Sequence, residues 1–273
     1  LEDLAAAQTK RFHYNRRVKV ILTWKPRDSH LAFTDNLTIH INAGNPVVTK
    51  VKGRENRYQI ILGLFTHELG HVLYTDFLAA QSYANSLALG HWYPAAPSLT
   101  KAADIRSEAE FWDYVKADPG NPQMVSYLAH RISNILEDGY VENRMLIQFP
   151  GTLGYALTRL RELHLRDMPT VTQLKEAEDT EGRHIFESIL QMILSYAKFG
   201  EIRYGEEPLS DERIQTVFGL LPEIDEALMT RSGRERLEAT SLILIRCWQY
   251  VRDFLERCRE RQEAAAASGA SIT

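Results

Sequence analysis

The stretch that decides the reading is YQIILGLFTHELGHVLYTDFL, residues 58–78. Its apolar residues recur at helical spacing, which predicts a helix over 58–78. Into that apolar run the sequence sets His67-Glu68-Leu69-Gly70-His71. Residues four apart on a helix lie one above the other on the same face. His67 and His71 can therefore aim two imidazole nitrogens at one ion about 2.0–2.1 Å away. Glu68 is turned roughly 100° from His67, so it can accept a proton from a water on the ion without being a ligand. Gly70 costs a helix about 1 kcal/mol relative to alanine, and it keeps one side open to close approach by another element. Two imidazoles and a carboxylate would be costly to bury unpaired in so apolar a helix, which favours a metal site over an idle polar stripe.

A catalytic zinc site has three protein ligands and an open position. Asp76 lies nine residues after His67, about 180° around a continuous helix, and faces away. Phe77 stands six residues after His71, so the extended motif with a third histidine is absent. The source of the third ligand is instead a second predicted helix, 123–149, which contains HRISNILEDGYVENR (130–144). Glu137 is the expected ligand, because it follows the apolar pair Ile135-Leu136, with Asn134 one turn before. Asp138 is the main alternative. Asp138 and Glu142 lie four apart on a neighbouring face. They could accept hydrogen bonds from the ligand histidines, or pair with Arg131 or Arg144.

The 273 residues are 44% hydrophobic and 25% charged with a net charge of −4, an ordinary globular composition without the basic excess of a nucleic-acid binder. No run of 18 apolar residues predicts a membrane span, and the N-terminus lacks a signal-type apolar core, so the expected location is cytoplasmic. Cys247 and Cys258 would sit some 16 Å apart along one helix and are expected to be unpaired thiols.

RVKVILTW (17–24) alternates, with Val18, Val20, Leu22 and Trp24 on one side. NLTIHINAG (36–44) alternates too, with Leu37, Ile39 and Ile41 on one face. Asp35-Asn36 marks a hairpin turn between them. Residues 79–105 read as an irregular excursion, and the Ser107/Glu110 pair as a capping box opening a short helix that ends near 117. A long helix over about 234–263, with Leu237, Ser241, Leu244, Trp248, Val251, Leu255 and Cys258 in one seam, is expected to pack on its own domain rather than in a coiled coil. AAAASGASIT (264–273) reads as a flexible tail or linker start.

THELGHVLYTDF together with NILEDGYVENR resembles the gluzincin branch of zinc metallopeptidases. More narrowly it resembles the N-terminal metallopeptidase-like region of bacterial proteins with a C-terminal von Willebrand factor A domain, akin to cobalt-chelatase-type subunits that work with AAA+ ATPases. The likeness covers about residues 30–150. It implies an α+β, zincin-like fold, with a small twisted sheet over the active-site helix and a mostly helical C-terminal part. The domains would be a core over 1–150, a helical subdomain over 151–263 packed on it, and the tail over 264–273. It also implies one Zn²⁺ per chain held by His67, His71 and Glu137, with Glu68 as general base and strand 37–42 lining the cleft as an edge. In thermolysin-type members an acid stands four residues after the ligand glutamate; here that position is Val141. Candidates for the residue that stabilises the oxyanion are His130, Tyr140 and His184. The expected activity is hydrolysis of a protein or peptide substrate. The alternative is an inactive zincin-fold scaffold within a von Willebrand factor A/AAA+ ATPase assembly. Neither reading calls for a nucleic acid or a membrane.

Overall fold

The structure, a computed structural model, describes residues 1–11 and 17–267. Its elements in chain order are α1 (Glu2–Arg11), β1 (Lys19–Thr23), β2 (Ala32–Thr34), β3 (Thr38–Asn42), α2 (Pro46–Thr49), α3 (Arg54–Tyr74), α4 (Phe77–Ala88), α5 (Ala102–Ala117), α6 (Asn121–Gln148), α7 (Thr152–Arg166), α8 (Val171–Glu181), α9 (Ile185–Phe199), α10 (Glu212–Phe218), α11 (Leu221–Met229), α12 (Gly233–Arg246) and α13 (Trp248–Ala267). The fold is α+β, mostly helical, with one mixed three-stranded sheet. Among the described residues, no helix is long and apolar enough to cross a membrane.

The chain divides into two units, and not at residue 150. The first holds Leu1–Phe77 and Glu137–Met168, and the second holds Leu78–Leu136 and Pro169–Thr273. α7 therefore belongs with the sheet and α3. The reason lies in α3 itself. A Cβ on Gly63 would stand 2.6 Å from the carbonyl oxygen of Ala156 and 2.9 Å from Leu160 Cβ. Only a bare Cα lets α7 pack this closely.

In the first unit β3 is the central strand, paired parallel with β1 and antiparallel with β2. The expectation that 37–42 form an edge strand is thus overturned. Alternation reports which face of a strand is apolar, and says nothing of how many neighbours the strand has. Central placement explains why Ile39 and Ile41 are fully buried. On the edge strand β1 and just past it, Leu22 and Trp24 stay more than half exposed. A turn falls at Asp35-Asn36, but it joins β3 to the unpredicted β2, while the two strands the hairpin was expected to join pair parallel. Asp35 Oδ1 accepts from the amides of Leu37 and Thr38 at 2.9 and 2.6 Å, and Asn36 takes a left-handed φ of 71°. Asn42 fixes the loop before β2, donating to the carbonyls of Lys25 and His30 and accepting from the Lys25 amide.

α3 is buried on almost every side, with Leu62, Leu64, Phe65 and Leu69 at most 3% exposed. Each such side chain contributes about 1.5–3 kcal/mol by leaving water. α3 runs from Arg54 and stops at Tyr74, short of residue 78, because Thr75 turns to an extended backbone.

Among the described residues the elements of the second unit are all helices, around a core that includes Trp92, Phe111 and Trp248, with ring centroids 4.7 and 5.2 Å apart for Trp92–Phe111 and Phe111–Trp248. α4 takes in residues 79–88, the first part of the segment expected to be irregular, and is anchored by buried Tyr83 and Leu87 one turn apart. α5 begins at Ala102, so Ser107 and Glu110 lie inside it and cap nothing. The helix expected over 234–263 is broken at Cys247 into α12 and α13. Leu237, Leu244, Trp248, Val251 and Leu255 are buried in this unit's own core, as expected. Both cysteines are free, and burial pushes the Cys247 thiol up to about 12. α13 extends through Ala267, so the first four residues of the expected tail are helical; residues 268–273 lie outside the described residues.

Gly63→Ala is expected to lower stability by about 1–3 kcal/mol despite alanine's better helix propensity, because the new methyl meets backbone that cannot give way alone. Gly70→Ala, whose Cβ would meet the flexible Met145 side chain at 2.9 Å, should cost less. Denaturant titration of both variants checks the order.

Candidate metal centre

The pattern on α6 places the acids. Asp138, Val141, Glu142 and Met145 fall at i, i+3, i+4 and i+7, one stripe on one helical face. This stripe is the face against α3, since a Cβ on Gly70 would stand 2.9 Å from Met145 Cγ and 3.4 Å from Val141 Cβ. The opening that Gly70 leaves is therefore filled by α6. The two carboxylates of the stripe come over the two histidines of α3.

Asp138 Oδ1 lies 3.2 Å from His71 Nε2 and 3.7 Å from His67 Nε2. The two Nε2 atoms are 3.3 Å apart. His67, His71 and Asp138 form a group that could hold a metal ion, with one ligand atom from each. The expected third member, Glu137, is not in it. Glu137 is turned about 100° from Asp138 along α6, to the margin of the stripe that meets α3.

The outer nitrogens of the rings are held as well. His67 Nδ1 is 2.9 Å from Glu142 Oε1, and Glu142 Oε2 accepts from Arg161 Nη1 of α7 at 2.6 Å. Glu142 is 1% exposed, and a carboxylate so buried needs this pairing on both oxygens. His71 Nδ1 is 2.9 Å from Thr75 Oγ1, at the residue where α3 stops. With each Nδ1 engaged, the Nε2 atoms are the ones turned toward Asp138. The side chains of His67 and His71 are 14% exposed and that of Asp138 is 26% exposed, so the group opens to solvent on the aspartate side. Glu68, next to His67, is 6% exposed.

Glu142 pairs with His67, one of the partners the sequence offered it, and the cation on its other oxygen is Arg161 rather than Arg131 or Arg144. Arg144 instead lies over the Tyr74 ring, 5.8 Å from its centroid. Neither Arg161 nor Thr75 was found from sequence. Thr75 carried a signal, a hydroxyl four residues after His71, whereas Arg161 lies nineteen residues beyond Glu142 on another helix. Asp76 falls past the end of α3 and outside the group. Of the oxyanion candidates, Tyr140 is in the first unit, 3% exposed, its ring 6.5 Å from that of Tyr74. His130 and His184 belong to the second unit. There His184 caps α9, accepting from the Phe186 amide at 3.1 Å, with Asp253 Oδ2 2.8 Å from its other nitrogen.

Comparison of the chain with protein-family models, with curated proteins and with solved structures gave no match.

Proposed function

We propose that the first unit is a zincin-like, zinc-dependent peptide hydrolase in which His67, His71 and Asp138 hold one Zn²⁺ and Glu68 is the general base. The observation that carries this reading is the triangle of donor atoms. Tetrahedral zinc with bonds of 2.0–2.1 Å separates its ligand atoms by about 3.3 Å. The three separations here are 3.2, 3.3 and 3.7 Å. Two imidazoles and one carboxylate also suit zinc with a fourth position left open. The pair Asp138 and Glu142 supplies the four-residue spacing of ligand and supporting acid that Glu137 and Val141 lack. The zincin reading thereby gains the element its sequence pattern was missing.

Bound there, zinc would supply a Lewis acid and bring the pKa of a coordinated water toward 7. The chain's own residues do the rest. Glu68 takes a proton from the attacking water and returns it to the amide nitrogen as the peptide bond breaks. Glu142 and Thr75 hold the two rings by Nδ1 so that Nε2 stays presented. The edge open to an added strand next to α3 is that of β2, and an extended peptide pairing with Ala32–Thr34 would be laid along the cleft.

Glu68→Gln should cut turnover 10²–10⁴-fold on unfolded casein or a peptide library, with zinc content and melting temperature unchanged. Equal cleavage by wild type and Glu68→Gln, or cleavage by neither, would sink the hydrolase reading in favour of an interaction module.

Arg161→Met and Glu142→Ala should each weaken zinc 10–100-fold in a chelator competition, the usual cost of losing a group that orients a ligand. Arg161→Lys should fall between wild type and Arg161→Met. Unchanged affinity in all three would remove Glu142 from this role.

A further inference from the structure

The sheet of the first unit has a second edge, opposite β2, and it is β1. The ladder shows which backbone groups lie on it. The Lys19 amide donates to the Leu37 carbonyl and the Ala43 amide to the Thr23 carbonyl, so the odd-numbered residues of β1 turn their backbone groups toward β3. Val20, Leu22 and Trp24 turn theirs outward. The Val20 amide is met by Glu2 Oε1 of α1 at 3.0 Å. Among the described residues the amides of Leu22 and Trp24 have no hydrogen-bond partner.

The side chains of this edge alternate in chemistry as well as in direction. Leu22 stands beside Ile41 in the ladder, Trp24 follows on the same side, and the two are 54% and 68% exposed. On the opposite side the exposed Lys19 and Lys25 flank Ile21 and Thr23. The Lys25 amide is held by Asn42 Oδ1 at 2.9 Å, which carries the alternation past the end of β1. Residues 10–27 hold seven Lys and Arg and no Asp or Glu, in a chain whose net charge is −4. The acids around the edge are engaged: Glu2 by the Val20 amide, Asp28 by the amide and ring of His30, and Asp35 by the amides of its own turn. Lysine on an edge strand can serve only to keep other strands away, but such a guard does not call for an exposed leucine and tryptophan beside it.

We propose that β1 is a docking edge for an extended segment of a partner protein in which apolar and acidic residues alternate. The added strand meets the Leu22 and Trp24 amides with its carbonyls. Its apolar side chains cover Leu22 and Trp24. Its carboxylates fall beside Ile21 and Thr23, diagonal to Lys19 and Lys25. Other partners satisfy less of the edge. A nucleic-acid strand answers the cations and Trp24 but brings no strand ladder and nothing apolar for Leu22. An anionic membrane leaves the two amides unpaired. A second copy, paired antiparallel with Leu22 opposite Leu22, sets Lys19 opposite Lys25. This edge shares no residue with β2 or with the histidines, so the inference stands whether or not the metal centre is catalytic.

The probe is a fluorophore-labelled peptide, acetyl-Val-Glu-Val-Glu-Val-Glu-Val-amide, titrated with the full chain and read by anisotropy. Binding is expected, and it should weaken by at least about tenfold when every peptide bond is N-methylated, because no ladder can form. A block version of the same composition, valines first and glutamates last, should also bind more weakly. The double variant Lys19→Glu/Lys25→Glu should lose the acidic peptide by about tenfold or more and gain its Val-Lys counterpart, which also shows that the variant is folded. Trp24→Ser should weaken binding of either version to its matching protein. The proposal is overturned if the acidic peptide does not bind, if the N-methylated or block version binds equally well, or if the charge-reversed variant or Trp24→Ser binds the acidic peptide as wild type does. It is overturned as well if oligothymidylate or phosphatidylglycerol vesicles displace the peptide.

Discussion

Close packing against α3 is the constraint on which the first unit rests. Gly63 and Gly70 are seven residues apart, two helical turns, and each leaves room where a methyl would collide with a neighbouring helix. At Gly63 the neighbour is the backbone of α7, and at Gly70 it is the Val141/Met145 stripe of α6. Each glycine costs about 1 kcal/mol of helix propensity, which the close approach must offset. His67 and His71 are thereby placed within reach of α6, whose Glu142 is in turn within reach of α7. α6 brings Asp138 and Glu142, and α7 brings Arg161.

The same packing explains why a polar cluster survives in so apolar a place. Glu142 is buried, and its oxygens are divided between His67 and Arg161. Remove either partner and a charge stays inside without compensation, which is far worse than never having had one. His71 is served by Thr75, a residue free to turn its hydroxyl back because the helix has just ended. The helix terminus that contradicts the longer sequence-based span is thus part of the site's support.

What the sequence showed were the features that local periodicity can carry. The i, i+4 histidines, the opening at Gly70 and the Asp35-Asn36 turn are all written within a few residues. The choice between Glu137 and Asp138 was not, since adjacent helix positions differ by about 100° and the phase of α6 is set by what it packs on. Read afterward, Val141 and Met145 mark that phase, three and seven residues after Asp138. The central place of β3 depended on parallel pairing with β1, a non-local contact that alternation does not encode. Membership of α7 in the first unit, and with it Arg161, depended on Gly63, whose requirement for a bare Cα shows only when the partner helix is in place.

The most direct test of the account is the zinc content of four proteins purified without chelator: wild type, His71→Ala, Glu137→Gln and Asp138→Asn. The account predicts about one zinc per chain in wild type and in Glu137→Gln, and loss of the metal in His71→Ala and Asp138→Asn. Retention in Asp138→Asn with loss in Glu137→Gln, or a wild-type protein that binds no zinc, would contradict it.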